Sequence, residues 1–316
     1  MSNNTQLSVG LVIPTSNAEK HLKKNLKVID QEQNKVLVID SNSSDRTVEI
    51  AKEYKCKIST ENNFNHGFTR EKARKILNTD IVVFITQDAY IESQESINRL
   101  VKPIKEGKAS ITYGRQIPRK NSSIFESFPV NFNYPELSNT RSIENLSKDG
   151  VYTFFCSNNF GAYLNKDLNE VGGFEYILTG EDYVACTHLL LTGKKVAYVS
   201  KAIVEHSHNF SLSENFRRYF DTGFIRGERP YLQELAGNAN GRGAKLTKLF
   251  FKKIIKEKPH LIFYAFIETV VKFLGFKVGS FFGFYGLNFS SEVKMFLSNQ
   301  KYFWKNKKPS INYPKF

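Results

Sequence analysis

Asp40 and Asp88 each follow a run of apolar residues: positions 36–39 before the first, and 81–85 with Thr86 and Gln87 before the second. Polar side chains just past buried strands sit at the carboxyl edge of an open α/β sheet, where ligands bind. A carboxylate at Asp40 can accept hydrogen bonds from a nucleobase or a ribose. One at Asp88 can hold an oxygen-loving divalent cation, Mg²⁺ or Mn²⁺. Such a cation would neutralise a diphosphate leaving group. Asp182, after Gly180 and Glu181 at a helix start, has the chemistry of a general base. His206 or His208, just past a short strand, can complete the cation's shell. Asp also caps helices and turns, and Asp45, followed by Arg46 and a helix, reads equally well as a cap. For Asp40 and Asp88 together, the repeated strand-end position favours function. The set suits transfer of a sugar from a nucleoside diphosphate.

These residues need elements to hold them. Residues 7–13 read as a buried strand ended by Pro14, and 17–30 as a helix with Leu22, Leu26 and Ile29 on one face. Residues 35–40 read as a second strand, 41–45 as a polar loop and 47–54 as a helix. A third strand at 57–60, a helix at 69–77 and a fourth strand at 80–86 follow. Strands alternating with helices predict a parallel sheet with right-handed crossovers. Residues 103–150 are polar, with Pro118, Pro129 and Pro135, and read as a loop-rich lid or acceptor loop. Apolar character resumes over 151–164. Gly172-Gly173-Phe174 is a turn, 183–191 a helix, and 195–199 and 202–206 two short strands. Residues 213–220 read as helix and 237–243 as a flexible linker. The division expected is a catalytic domain at 1–240 and a helical extension at 241–316.

Of the 316 residues 24% are charged and 41% hydrophobic, a globular balance that excludes wholesale disorder. Cys56, Cys156 and Cys186 form no CxxC pair, which excludes a zinc ribbon or disulfide scaffold and predicts a reducing compartment. The first residues lack the basic and apolar regions of a signal peptide. No run of 18 uncharged apolar residues predicts a span. The net charge of +14 is uneven: residues 245–316 hold 14 Lys against three acids, +11, leaving +3 for the rest. That tail also holds 18 of the 43 aromatics. Residues 245–258 read as a basic helix with Leu246, Leu249, Phe250 and Ile254 on one side. Residues 260–287 are apolar except for Glu268, Lys272 and Lys277, which spacing places on one broad face. An ordinary helix packed on the domain would look like this. So would an amphipathic element in a membrane interface, Lys outward and Phe inward. Aromatic and Lys density rise together, which favours an anionic membrane surface as partner. Nucleic acid is not expected, because Arg and Gly are not interleaved with the aromatics.

Several motifs follow one another in a fixed order. Val12-Ile13-Pro14-Thr15-Ser16-Asn17 and Val38-Ile39-Asp40-Ser41-Asn42-Ser43-Ser44-Asp45-Arg46-Thr47 resemble the N-terminal half of the family-two inverting glycosyltransferases with a GT-A fold. Phe64-Asn65-His66-Gly67-Phe68-Thr69-Arg70 and Phe84-Ile85-Thr86-Gln87-Asp88-Ala89 are similar to a rhamnosyltransferase subgroup. The likeness continues through Cys156-Ser157-Asn158-Asn159-Phe160-Gly161-Ala162, Gly172-Gly173-Phe174, Gly180-Glu181-Asp182-Tyr183 and His206-Ser207-His208-Asn209. It covers about residues 8–225. Each motif alone is weak, and the eight in order are specific.

The resemblance implies an α/β GT-A fold, a Rossmann-like and mostly parallel sheet flanked by helices, with a helical basic and aromatic C-terminal extension. It implies that Asp40 contacts the base, that Pro14, Thr15 and Ser41 line the same pocket, and that Arg70 and Gln87 lie on the nucleotide side. Asp88 matches the last Asp of the family's DxD motif. Thr86 stands where the first acid belongs, so one carboxylate is left for the metal, and either its affinity is weak or a histidine helps, His206 ahead of His208. Asp182 matches the catalytic Asp of the ED motif, beside Glu181, which also reads as a first-turn charge favoured by the helix dipole. Asn158 and Asn159 read either as acceptor contacts or as partners for backbone groups in a buried turn. His66 is a further candidate for ligand contact. The implied donor is dTDP-L-rhamnose, with a UDP-hexose or UDP-N-acetylhexosamine as alternative. The implied acceptor is a saccharide, lipid-linked, at the cytoplasmic face of a membrane in surface polysaccharide assembly. Homo-oligomerisation is compatible with the sequence. A catalytically silent sugar-nucleotide-binding protein has the missing DxD acid as its support, and the retained Asp88, Glu181 and Asp182 argue against it.

Overall fold

Val9–Thr15 (β1) is buried at all seven positions, as befits a strand covered by helices on both faces. The computed structural model describes residues 7–236, 240–286 and 289–305. Among these, nine strands form one sheet. After β1 come β2 (Lys35–Asp40), β3 (Lys57–Thr60), β4 (Ile81–Ile85), β5 (Tyr90–Ile91), β6 (Ile111–Ile117), β7 (Asn139–Arg141), β8 (Phe160–Leu164) and β9 (Val196–Glu205). The order is β3-β2-β1-β4-β8-β6-β9-β5, with β7 pairing β9. β1, β2, β3 and β4 pair in parallel, as does β6 with β9, while β8 runs against both β4 and β6.

Helices cover both faces. Those described before the sheet is complete are α1 (Glu19–Leu26), α2 (Thr47–Glu53), α3 (His66–Leu77), α4 (Gln94–Lys105), α5 (Ile124–Asn133), α6 (Leu146–Asp149), α7 (Asn165–Glu170) and α8 (Glu181–Leu191). Then follow α9 (Leu212–Glu228), α10 (Tyr231–Ala236), α11 (Asn240–Glu257), α12 (Ile262–Tyr285), α13 (Ser291–Leu297) and α14 (Lys301–Lys305). Alternate strand residues divide the core. Leu11 and Ile13 meet Leu22 and Leu26 of α1 and Ile97 and Leu100 of α4. Val12, Leu37 and Phe84 meet Ala73 and Leu77 of α3 and Ala185 and Leu189 of α8.

Several expectations are corrected. Residues 103–150 hold β6, α5, β7 and α6, not one loop-rich lid; Pro129 lies inside α5 and obscures its periodicity. The two short strands at 195–206 are one strand, β9, whose pairing with β6 shifts register at Gly114/Arg115. Of the proposed linker, residues 240–243 are already helical in α11, and 237–239 lie outside the described residues, as do 306–316 of the tail. Glu268 and Lys272 do not share a face with Lys277. Glu268 is buried, accepting from Asn215 Nδ2 at 3.1 Å and pairing with Lys272 at 2.9 Å, whereas Lys277 is exposed.

That burial follows from how α12 meets α9. A Cβ added at Gly279 would lie 2.0 Å from the Phe220 carbonyl oxygen. At Gly223 it would lie 2.1 Å from that of Phe276, and at Gly283 2.1 Å from that of Phe224. The two helices therefore touch backbone to backbone, as only glycine permits. The opposite side of α12 carries Phe263, Phe266, Phe273, Leu274, Phe281 and Phe284, all exposed.

Candidate active site

The carboxyl ends of β1, β2 and β4 converge on one corner. The Thr15 hydroxyl donates to Asp40 Oδ1 at 3.0 Å, and Ser43 adds its N–H to Oδ2 at 2.9 Å and its hydroxyl to Oδ1 at 2.5 Å. Asp40 is buried. The Ser41 N–H donates to the Thr15 carbonyl at 2.8 Å. Gln87 clasps the loop after Pro14 and Thr15: it accepts from the Ser16 N–H at 2.8 Å and donates to the Ser16 carbonyl at 3.2 Å. The polar residues expected around a nucleotide thus share one place, except Arg70. Arg70 is buried, 3.3 Å from Glu181 Oε1, and donates to the His66 carbonyl at 2.9 Å.

Asp88, in the turn after β4, meets the two histidines that follow β9. His206 Nε2 lies 3.6 Å from Asp88 Oδ1 and His208 Nε2 3.3 Å from Oδ2. One ligand atom from each of the three residues falls within 4.8 Å of the others. His206 Nδ1 donates to Gln116 Oε1 at 2.9 Å. That bond puts a proton on Nδ1 and turns Nε2 toward Asp88, the arrangement seen behind metal-ligating imidazoles. Burial opposes ionisation of Asp88, but the hydrogen bond and charge of His206, with His208, hold its carboxyl at about 2. Burial, then repulsion from His206, lowers His208 to about 4. An anionic carboxylate facing two imidazole Nε2 atoms fits a divalent cation. The Thr86 hydroxyl, in place of the missing acid, is buried without a partner.

The base candidate stands on the first turn of α8. Gly180 takes a left-handed φ of +74° before it, a conformation that glycine adopts freely. Asp182 is half-buried; Oδ2 accepts the Asn158 N–H at 3.1 Å and Oδ1 its neighbour Tyr183's N–H at 2.8 Å. Burial and the adjacent Glu181 charge push its carboxyl up to about 7, the range a general base requires. Glu181 is fully engaged elsewhere. Burial opposes its charge, yet Arg70, His66 and the Asn158 amide, donating at 3.0 Å, keep it ionised below the ordinary range. Two adjacent carboxylates are thus driven apart.

A cavity of about 680 Å³ opens beside the Asp88 cluster, and His206, His208, Gln116 and Asn159 line it. Asn159 Nδ2 donates to Gln116 Oε1 at 3.3 Å. Asn158, by contrast, is buried and bridges Glu181 and Asp182. Sequence reasoning missed Gln116, Arg119, Asp221, Glu268 and Gln300. Arg119 donates to the Asp88 carbonyl at 2.8 Å, and the other four line the cavity. Gln116 and Arg119 were hidden because β6 reads as loop. Asp221 and Glu268 come from helices with no motif, and Gln300 from the segment between α13 and α14.

Comparison with known proteins follows the same lines. A family model described as glycosyl transferase family 2 matches residues 11–172. The O-antigen chain rhamnosyltransferase RfbN of Salmonella typhimurium is 37% identical over 282 residues, 86% of this chain and 90% of that one. The O-antigen chain rhamnosyltransferase WbaN of Salmonella anatum is 33% identical over 280 residues, covering 86% and 89%. In fold, the chain resembles the mannosyltransferase PcManGT of Pyrobaculum calidifontis, solved with GDP-Man and Mn²⁺, at a TM-score of 0.60 and 13% identity over 90% of this chain and 89% of that one. It also resembles S. aureus TarS 1-349 with UDP-GlcNAc, at 0.55 and 14% over 90% and 93%. The expected GT-A architecture, a mostly parallel sheet with helices on both faces and further helices at the C-terminal end, holds.

Proposed function

Because the chain belongs to glycosyl transferase family 2, we propose that it is an inverting rhamnosyltransferase, moving L-rhamnose from dTDP-L-rhamnose to a hydroxyl of a lipid-linked saccharide in surface polysaccharide assembly. The relatives' names support the sugar. The observation that carries the chemistry is one cavity whose wall holds His206 and His208, the histidines that meet Asp88, and Asn159, next in chain to the residue that holds Asp182.

In this reading Asp40, Thr15, Pro14, Ser41 and Gln87 form the corner that takes the nucleoside. A divalent cation held by Asp88, His206 and His208 would neutralise the departing diphosphate. Asp182 accepts the proton of the acceptor hydroxyl as that oxygen forms its bond to the anomeric carbon. The bond to the diphosphate oxygen breaks on the opposite face, which inverts the centre in one displacement. Glu181 stays ionised, paired with Arg70, and its charge raises the basicity of Asp182. Asn158 holds both carboxylates, and Asn159 faces the acceptor.

The membrane surface is part of the proposal. Among the described residues no helix is long and apolar enough to cross a membrane. The exposed aromatic face of α12 suits the headgroup boundary, with Lys245, Lys248, Lys252 and Lys256 of α11, all exposed, drawn to anionic lipid at the inner face of the plasma membrane.

The test is calorimetric titration of dTDP-L-rhamnose, UDP-glucose and UDP-N-acetylglucosamine with and without Mn²⁺. Metal-dependent binding of the dTDP sugar alone is expected. Preference for a UDP sugar would discard rhamnose and keep the mechanism. Binding of none would favour a donor site gated by the acceptor or a silent polysaccharide-binding protein.

A further inference from the structure

After α12 the chain turns back across α9. Arg217 Nε donates to the Phe296 carbonyl at 3.0 Å, and Asn299 donates its N–H to Asp221 Oδ2 at 3.0 Å and its amide to the Glu214 carbonyl at 3.3 Å. Ser298 is buried and its hydroxyl also bonds Asp221. Further on, Phe303 stacks on Tyr176 with ring centroids 5.3 Å apart, and Trp304 meets Phe224 edge-on. Residues 298–304 are thus a strap anchored at both ends, and they set Gln300 into the wall of the cavity that His206 and Asn159 line.

The neighbours decide which way the Gln300 amide faces. Arg70 Nη1 has only hydrogens to offer, so His66 Nδ1, 3.4 Å away, accepts and Nε2 carries the ring proton. His66 Nε2 then donates to the Tyr302 hydroxyl oxygen at 3.1 Å. The Tyr302 O–H is left to donate, and it donates to Gln300 Oε1. The amide oxygen is therefore used. The amide nitrogen bonds no described residue and remains a donor for what enters the cavity. Sugar hydroxyl oxygens accept such bonds, and a few placed polar groups of this kind fix a ligand's orientation.

We infer that Gln300 binds the acceptor saccharide, its Nε2 donating to an acceptor hydroxyl oxygen, and that Tyr302 is the positioning residue that orients the amide. This rests on the transfer reaction proposed above and extends it to residues outside every motif. The bonds run on from His66 through Arg70 and Glu181 to Asn158 and Asp182. Acceptor contact and base thus share one scaffold.

The experiment uses the full chain, Mn²⁺ and the donor that titration selects. The acceptor probe is the best of octyl glucoside, galactoside, mannoside and N-acetylglucosaminide. Donor hydrolysis without acceptor is measured alongside. Gln300→Ala is expected to raise the acceptor KM about tenfold, the worth of one hydrogen bond, with donor KM and hydrolysis unchanged. Gln300→Glu, which keeps the shape and removes the donor group, should do the same. Tyr302→Phe should raise the acceptor KM by a smaller factor. An unchanged acceptor KM in both Gln300 variants, or an equal rise in donor KM, overturns the inference. If the wild type transfers to none of the probes, the proposed function itself fails and takes the inference with it.

Discussion

Asp182 and Glu181 sit side by side on one helical turn, yet burial and neighbours send them in opposite directions. Asp182→Asn should lower turnover by about 10²–10⁴ with donor affinity intact in titration; near-normal turnover would remove it as the base. The wild type should lose rate about tenfold for each pH unit below about 7, because the ionised carboxylate is the active form. Stability runs the other way. The folded-state value lies above the unfolded value of about 4, so protonation favours the fold and the contribution is lost as pH rises through 7. Asp182→Asn should therefore melt higher than wild type at pH 8, with the gain gone near pH 4. At the cluster, chelation should abolish transfer and added Mn²⁺ or Mg²⁺ restore it; full activity in chelator would dismiss the cation. Asp40, Asp88 and the two histidines were legible because each follows an apolar strand. Gln116 was not, since it reaches His206 across 90 positions from a strand that reads as loop. The sequence order also says nothing of Asn158 turning from the cavity to the carboxylates while Asn159 faces it.

Among the elements, β1, β2 and β4 announce themselves as apolar runs buried on both faces. The helix at Asn65 was legible in outline only. Asn65 caps it by accepting from the Gly67 and Phe68 N–H groups, so it starts at His66, three residues before the expected Thr69. β6, β7 and β8 were not legible individually, because strand pairing out of chain order leaves no local signal. The α9–α12 seam was also invisible: glycines in an apolar helix read as propensity defects until a partner backbone lies against them. Gly279→Ala would push a methyl group to within 2.0 Å of the Phe220 carbonyl. Overpacking of that kind costs about 1–3 kcal/mol, measurable by urea unfolding. Wild-type stability in that variant would mean the helices separate easily. Gly241→Ala, with open space around it, is the control.

For the whole molecule, charge and aromatic content pointed to the tail, but the tail is no appendage. α12 is fixed to α9 by its glycine face, and Phe250 and Ile254 of α11 bury against Phe125 and Phe128 of α5. Deleting residues 245–316 would therefore damage the cavity as well as any lipid contact. Substituting Phe266, Phe273 and Phe281 by Ser is the cleaner test. Binding to vesicles of phosphatidylglycerol and phosphatidylcholine should fall at least tenfold, at about 25 cal/mol per Å² of apolar surface, with donor binding kept. Unchanged vesicle binding would release α12 from that role, and a change in molecular mass would assign the face to a second copy. The seam between α9 and α12 has one further consequence. Along the glycine face no side chain separates the two backbones, so little there can be compressed to absorb a movement. A torque applied to the aromatic side of α12 would pass to α9, which carries Arg218 and Asp221 in the cavity wall. The helix pair would then act as a lever: a surface pressing on its outer arm would tilt the wall against which the proposed acceptor fits.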